Sequence, residues 1–217
     1  GLRVRVTPLP GTINSPWALT ERVDTQAHIE TSATAATIRN GKISARIRDI
    51  YTQMGHLEFF TWADNTPIPI LRAYDYRVHA HNPGTRLFKS VGDGLFECEL
   101  HFEAQDGERL YGMGQNATGR LNLKGCVIDL YQRHVKAVVP FVVSSQGYGF
   151  LWNNPSLGRA EFGNNMTRWI SYGSKQIDYY ITAGDSYANL MENYTDVTGH
   201  APGFPWWASG FWQCKLR

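Results

Sequence analysis

Apolar and polar residues alternate along many short stretches of the chain, and residues 95–104 show this pattern most regularly. A period of two points successive side chains to opposite faces of a β-strand. The stretch therefore predicts a strand with one buried apolar face and one solvated polar face. The apolar positions are Phe96, Cys98, Leu100 and Phe102, and the polar positions are Glu97, Glu99, His101 and Glu103.

Shorter stretches of the same kind follow one another along the chain and are separated by turn residues. Asn40-Gly41 lies between two of them, and this dipeptide is a strong signal for a tight hairpin. Many short strands joined by turns are typical of an antiparallel β-sandwich, so we predict a mainly β fold of this kind. The further predicted strands are residues 2–7, 34–39, 42–49, 57–62, 68–79, 127–132, 138–144, 148–153, 167–172 and 176–182.

One segment near the end of the chain has the periodicity of a helix instead. Its apolar residues recur every three or four positions, which places them on one face of an α-helix. Asp185 or Ser186 can cap the start of this helix, and Gly199 is suited to end it. The apolar face comprises Tyr187, Leu190, Met191, Tyr194 and Val197.

The last stretch, residues 202–217, contains three of the seven tryptophans and is the most apolar part of the chain. Its pattern predicts a buried strand. Chain termini normally lie at the surface and are polar. We therefore expect the parent protein to continue after Arg217.

Composition narrows the possible functions only a little. The 217 residues suit one large β domain, and the net charge of +2 is too weak to indicate a nucleic acid or an anionic membrane as partner. No run of about 18 apolar residues occurs, so no membrane-spanning helix is predicted. Cys98, Cys126 and Cys214 are odd in number and widely spaced, which does not describe a disulfide framework or a zinc site.

No motif in the chain marks a catalytic centre, a metal site or a cofactor site. The sequence lacks a zinc-binding His-Glu-x-x-His, a glycine-rich phosphate loop and a Gly-x-Ser-x-Gly elbow. His79 and His81 could share a strand face as metal ligands, but such a pair is more often ordinary polar surface. We predict no metal and no cofactor. The scattered aspartates are Asp49, Asp64, Asp75, Asp93, Asp106, Asp129, Asp178, Asp185 and Asp196.

Several separated motifs resemble one known family. They are Glu108-Arg-Leu-Tyr-Gly-Met-Gly-Gln115, Leu121-Asn-Leu-Lys-Gly125 and Val139-Pro-Phe-Val-Val-Ser-Ser-Gln-Gly-Tyr-Gly-Phe-Leu-Trp-Asn153. In this order they resemble the N-terminal β-sandwich domain of glycoside hydrolase family 31. The ending, Pro205-Trp-Trp-Ala-Ser-Gly-Phe-Trp-Gln, is similar to the family's entry into the first strand of its (β/α)₈ barrel.

The resemblance implies a galactose-mutarotase-like sandwich over residues 1–200, with one helix leading into a linker and first barrel strand at residues 201–217. It also implies a retaining α-glycosidase mechanism with two aspartates about 5 Å apart. Both aspartates belong to the family's barrel, so no catalytic residue is assigned in this chain. The implied partners are an α-linked oligosaccharide or glycoside and the intramolecular barrel, with no nucleic acid and no membrane.

The resemblance further implies that a loop of the sandwich reaches the mouth of the sugar pocket. Amide and guanidinium groups make directional hydrogen bonds to sugar hydroxyls, which suits a small pocket. The alternative is that these side chains only satisfy loop backbone or solvent. The candidate substrate-binding residues are Gln115, Asn116, Arg120, Asn122, Gln132 and Arg133.

Two other functions stay open from the residues alone. The first is a stand-alone carbohydrate-binding module that uses an aromatic platform, and the second is a structural spacer without a ligand. Aromatic residues on an apolar strand more often pack between domains than bind sugar. The aromatic residues concerned are Trp206, Trp207, Phe211 and Trp212.

Overall fold

Strands in antiparallel sheets form most of the chain in our computed structural model, which describes residues 1–11, 13–20, 26–48, 55–74 and 85–215. Their bounds are β1 Leu2–Val6, β2 His28–Thr31, β3 Ala35–Asn40, β4 Ile43–Arg48, β5 His56–Ala63, β6 Thr66–Arg72, β7 Arg86–Gly92, β8 Leu95–Glu103, β9 Leu110–Gln115, β10 Val127–Leu130, β11 Ala137–Ser144, β12 Tyr148–Trp152, β13 Gly158–Phe162, β14 Met166–Ser174 and β15 Ile177–Ala183. One α-helix, α1, spans Tyr187–Thr198, and a short 3₁₀ helix spans Trp206–Ser209.

The strands form three five-stranded sheets. The first has the order β1-β15-β12-β11-β9, the second β10-β13-β14-β8-β7, and the third β2-β3-β4-β5-β6. Neighbouring strands pair antiparallel throughout the described sheets. The predicted fold class, a mainly β antiparallel sandwich of the galactose-mutarotase-like kind with one helix near its end, is confirmed.

Stacked and edge-to-face aromatic side chains hold the first two sheets face to face. The ring of Phe150, on β12, lies 4.8 Å from Trp169 on β14 and 5.6 Å from Phe102 on β8, measured between centroids. Tyr179 on β15 stacks on Phe150 at 5.0 Å and meets Phe59 of the third sheet at 6.3 Å. Such contacts combine a large buried apolar area with a favourable ring geometry. The main core therefore lies where all three sheets meet.

Strand β8 confirms the regular alternation, with one exception. Cys98, Leu100 and Phe102 are buried on its inner face, as predicted. His101 belongs to the predicted solvated face but is only 2% exposed. Another segment of the same chain lies against this part of the strand: the Tyr74 N–H donates to the His101 carbonyl oxygen at 3.1 Å.

The predicted hairpin of β3 and β4 is present, but its turn lies one residue further on. Asn40 pairs with Ile43, so the two turn residues are Gly41 and Lys42. Gly41 has a φ of 61°, a backbone conformation that glycine adopts without steric strain. The Asn-Gly signal therefore located the hairpin correctly and its centre to within one residue.

Helix α1 begins and ends where the sequence predicts. The Ser186 hydroxyl accepts from the Asn189 N–H at 3.1 Å, and the Gly199 N–H donates to the Thr195 carbonyl oxygen at 2.8 Å. Leu190 is buried, and the Tyr194 ring stacks on Phe141 of β11 at 4.2 Å between centroids. The helix thereby covers the outer face of the first sheet. In the described part of the chain no helix has the length and apolar character needed to cross a membrane.

The terminal aromatic stretch differs from the predicted buried strand. Residues 206–209 form the 3₁₀ helix, and residues 210–215 have no strand partner in the described chain. A strand is stabilised by backbone hydrogen bonds to a neighbouring strand, and residues 210–215 have no such neighbour among the described strands. Trp206 is 86% exposed and Phe211 is 93% exposed. The division into residues 1–200 and 201–217 stays a prediction.

Candidate functional site

The six candidate sugar-binding residues all lie in the segment 115–137, which connects β9 to β11. Gln115 and Ala137 are direct cross-strand partners, so the segment leaves and re-enters the first sheet at the same edge. Between these points it contains β10, which pairs with β13 of the second sheet. The segment therefore spans one end of the sandwich and carries an exposed lobe on each side of β10.

The glycines of the Tyr-Gly-Met-Gly-Gln motif determine where this segment starts. Gly112, Met113 and Gly114 all have positive φ, at 112°, 65° and 76°. A Cβ atom on Gly114 would lie 2.0 Å from the Ala137 carbonyl oxygen. The register of β9 and β11 shifts at this point between Val138 and Val142, which marks a β-bulge. The motif thus bends the strand edge from which both lobes leave the sheet.

The first lobe comprises residues 116–121. At its start the Asn116 amide donates to the Met113 carbonyl oxygen at 2.8 Å. At its tip the Thr118 hydroxyl accepts from the Arg120 N–H at 3.3 Å. Arg120 is exposed, and Leu121 beside it is 82% exposed. The lobe presents a guanidinium and an apolar side chain next to each other.

Asn122, which follows the first lobe, uses its side-chain oxygen to hold the backbone. Its Oδ1 atom accepts from the Leu110 N–H and from the Lys124 N–H, both at 3.1 Å. This is the alternative role that the sequence left open for the candidate residues. The Asn122 carbonyl group therefore shapes the base of the lobe.

The second lobe comprises residues 131–136. The Gln132 side-chain oxygen accepts from the Val138 N–H at 3.1 Å, while the residue itself is exposed. The Arg133 guanidinium lies over the Tyr131 ring at 4.4 Å from its centroid and donates to the tyrosine hydroxyl oxygen. Val135 is 64% exposed. This lobe also combines an exposed guanidinium with an apolar side chain.

The predicted contact with a sugar needs hydrogen-bonding groups and apolar side chains, and each lobe exposes both. A sugar has hydroxyl groups around its rim and C–H groups on its faces, so amides, guanidinium groups and apolar side chains all find partners on it. Five of the six candidates lie on the lobes or at the sheet edge from which they leave, whereas the Asn122 side-chain oxygen binds backbone N–H groups. The five are Gln115, Asn116, Arg120, Gln132 and Arg133.

A buried polar cluster behind the segment was not identified from the sequence. The Glu108 carboxylate accepts from the Ser144 hydroxyl at 2.6 Å and from the Tyr148 hydroxyl at 2.7 Å, and it lies 3.4 Å from the Lys124 ammonium. Burial, followed by the negative charge of Glu108, raises the pKa of Tyr148 well above its ordinary value. The signal that could have located the cluster is an acidic residue just before the glycine-rich strand β9.

Metal binding finds no support in the described ranges. No group of three or more His, Cys, Asp or Glu side chains in residues 1–11, 13–20, 26–48, 55–74 and 85–215 could hold an ion. His79 and His81, considered above as a possible ligand pair, lie outside the described residues, as do Asp49 and Asp75.

Comparison with protein families gives a match over most of the chain. Residues 2–159 match the family model described as the glycosyl hydrolase 31 N-terminal galactose mutarotase-like domain. This range includes β9, both lobes and the bulge motif.

Individual relatives extend the likeness to the whole chain. An uncharacterized family 31 glucosidase of Pseudescherichia vulneris is 41% identical over all of this chain, which covers 42% of that protein. An α-xylosidase of Saccharolobus solfataricus is 42% identical over 56% of this chain and 18% of its own length. The crystal structure of a GH31 α-xylosidase from a soil metagenome, complexed with xylose, matches 99% of this chain and 33% of its own with a TM-score of 0.89 and 37% identity. The chain thus spans less than half the length of these relatives, and it belongs to glycoside hydrolase family 31 as the N-terminal galactose-mutarotase-like domain.

Proposed function

We propose that this chain is the N-terminal domain of a retaining α-glycosidase that acts on an α-linked oligosaccharide or glycoside. The observation that carries the proposal is the likeness of the whole chain, in sequence and in structure, to a family 31 glucosidase and a family 31 α-xylosidase. The two catalytic aspartates expected for this mechanism belong to a barrel beyond these residues. The domain alone is therefore inactive.

Within that enzyme the segment 115–137 forms one wall of the sugar pocket. Gln132 and Arg133 on the second lobe and Asn116 and Arg120 on the first donate to sugar hydroxyls, and Gln115 lies at the common base. Asn122 contributes by shaping the backbone of the first lobe. The exposure of Gln115, Arg120, Gln132 and Arg133 on this segment supports the assignment.

The catalytic barrel is the intramolecular partner of the terminal aromatic stretch. Large exposed apolar patches on a soluble protein mark interaction surfaces. The exposed aromatic side chains of this stretch lie within a few residues of one another and form such a patch. Residues 201–217 act as the linker and as the first barrel strand, which forms when a neighbouring strand pairs with it. The exposed aromatic residues are Phe204, Trp206, Trp207, Phe211 and Trp212.

The test is steady-state kinetics of the full-length enzyme on aryl α-xyloside and aryl α-glucoside substrates. Loss of one uncharged hydrogen bond should lower kcat/KM of the Gln132→Ala variant by about three- to tenfold. Gln146→Ala is the matched control, because Gln146 lies in the turn after β11, at the opposite end of that strand. Unchanged kcat/KM on every accepted substrate for Gln132→Ala, Arg133→Ala and Arg120→Ala would overturn the pocket-wall role.

A second function, a stand-alone carbohydrate-binding module, is favoured by the exposure of three neighbouring tryptophan side chains, those of Trp206, Trp207 and Trp212. Exposed aromatic rings can stack on sugar faces. Calorimetric titration of the 217-residue chain with α-linked oligosaccharides separates the two functions. Saturable binding that disappears in Trp206→Ala would support the module, whereas no heat of binding supports the domain of a larger enzyme.

A further inference from the structure

Glu108 connects the first sheet to the segment 115–137 through its two carboxylate oxygens. Oε1 accepts from the Ser144 hydroxyl, at the end of β11, and from the Tyr148 hydroxyl, at the start of β12. Oε2 lies 3.4 Å from the Lys124 ammonium. The Glu108 side chain is only 2% exposed and that of Lys124 only 14%. The carboxylate thus holds a residue of the segment against two strands of the sheet.

Backbone hydrogen bonds fasten the residues around Lys124 at the same place. The Leu123 N–H donates to the Leu110 carbonyl oxygen at 2.8 Å, and Asn122 Oδ1 bridges the Leu110 and Lys124 N–H groups. The Lys124 ammonium also donates to the Gln105 carbonyl oxygen at 3.4 Å. The chain at 122–124 is therefore attached to the chain at 108–110 by both side chains and backbone.

These bonds fix the end of the first lobe, while the Asn116 amide fixes its start. Arg120 lies two residues before Asn122, so a shift of residues 122–124 would move its guanidinium. A buried ion pair seldom adds net stability over an apolar pair of similar size, because both charges lose hydration. A role in setting the geometry of the lobe therefore explains the buried Glu108–Lys124 pair better than a contribution to stability alone.

We propose that Glu108 and Lys124 are positioning residues that set the conformation of the first lobe and thereby aim Asn116 and Arg120 at the sugar. The inference rests on the proposed function, since it assigns a role toward the same pocket. Neither residue contacts the substrate. Their effect on sugar binding acts through the backbone of residues 116–122.

The kinetic test compares two variants of the full-length enzyme that each remove one cation from a buried ion pair. Lys124→Met retains the length of the side chain and should raise KM about tenfold with little change in kcat, because misplaced binding groups weaken substrate binding. Arg3→Met is the matched control, since Arg3 pairs with the fully buried Asp178 at 2.6 Å on β1 and β15, away from the segment. Lys124→Arg keeps the charge and should return KM toward the wild-type value.

Equal KM values for Lys124→Met and Arg3→Met, with Arg120→Ala still impaired, would show a purely structural pair and overturn the positioning role alone. No KM effect for Arg120→Ala, Arg133→Ala or Gln132→Ala would instead overturn the pocket-wall role on which the positioning role depends. The two failures are therefore distinguishable.

Hydrogen exchange on the 217-residue chain provides a readout that needs no activity. In Lys124→Met, the N–H groups of Leu110, Leu123 and Lys124, which are hydrogen-bonded at the base of the lobe, should exchange about tenfold faster, because the lobe opens locally. The amides of β14 should keep their rates. If Lys124→Met does not fold, the Glu108→Gln/Lys124→Met double variant, which leaves no unpaired buried charge, takes its place in both measurements. Unchanged exchange at the base of the lobe contradicts the positioning role.

Discussion

The hydroxyl of Tyr148 donates to the Glu108 carboxylate at 2.7 Å in the interior of the sandwich, where both side chains are almost fully buried. Removing that hydroxyl leaves the buried charge with one donor fewer. Tyr148→Phe should therefore lower the free energy of unfolding by about 1.5–3 kcal/mol, the range for a hydrogen bond to a charged group. Urea denaturation followed by tryptophan fluorescence measures this loss.

Tyr172→Phe is the control for that experiment, because Tyr172 is 41% exposed and its hydroxyl can be hydrated. Its unfolding midpoint should match the wild type. A Tyr148→Phe midpoint as high as that of Tyr172→Phe would contradict the importance of the Glu108 contact.

Ionisation of the Cys98 thiol makes the free energy of unfolding depend on pH in the alkaline range. Burial raises the pKa of its thiol from 9.0 to about 12, with a smaller contribution from the charge of Glu97. The unfolded chain loses this proton first, so the contribution of Cys98 is fully present below pH 9 and is lost as the pH rises toward 12. The free energy of unfolding should thus fall between pH 8.5 and pH 11 by more in the wild type than in Cys98→Ala.

Thiol alkylation gives an independent measurement of the same property. At pH 8 iodoacetamide should modify the exposed Cys214 and leave Cys98 unmodified until the chain is denatured, because only the accessible thiolate reacts. Peptide mass mapping identifies the modified residue. Rapid modification of Cys98 in the native chain would contradict a raised pKa and deep burial.

Gly114 is predicted to be the less replaceable of the two glycines in the Tyr-Gly-Met-Gly-Gln motif. An added Cβ would lie 2.0 Å from the Ala137 carbonyl oxygen, and the φ of 76° is itself unfavourable for other residues. Gly114→Ala should lower the free energy of unfolding by more than about 3 kcal/mol, through backbone strain and a steric clash together.

Gly119→Ala separates the two causes. Gly119 has a similar φ of 66°, but no atom lies within 4 Å of its added Cβ. Only the strain of the positive φ remains, so the free energy of unfolding of this variant should fall by about 1 kcal/mol. Equal melting temperatures for the two variants would show that the contact with Ala137 relaxes easily.

The terminal tryptophans should control the association of the 217-residue chain. Trp206, at 86% exposure, and Trp212, at 70%, leave apolar surface that a second molecule can cover. The Trp206→Ser/Trp212→Ser variant should sediment as a smaller species than the wild type at the same concentration, with an unchanged melting temperature. Identical sedimentation of the two proteins would contradict the prediction.

Most elements with a strong local pattern were predictable from the sequence. The alternation in β8, the Asn-Gly turn between β3 and β4, and the capped helix α1 all depend on residues close together in the chain. Short strands of mixed composition, such as β2, β7 and β13, were not predicted, since four to seven residues with weak alternation do not stand out from loops.

The candidate site was predictable only in part. The motifs indicated the segment 115–137 through their resemblance to a family, and the structure places its two ends side by side at Gln115 and Ala137. The roles within the segment depend on distant partners. Asn122 binds the backbone of Leu110, and no local pattern connects these two residues.

The sequence by itself determined the class of fold, the ends of the helix and the family, because each depends on periodicity, caps or motifs within a few neighbouring residues. Only the tertiary structure decided that His101 is covered, that Glu108 holds Lys124, and that the terminal aromatic stretch has no strand partner in the described chain. Burial and charge pairing depend on which distant segments lie together in the sandwich. Long-range packing sets those neighbours, and a local pattern carries little information about them.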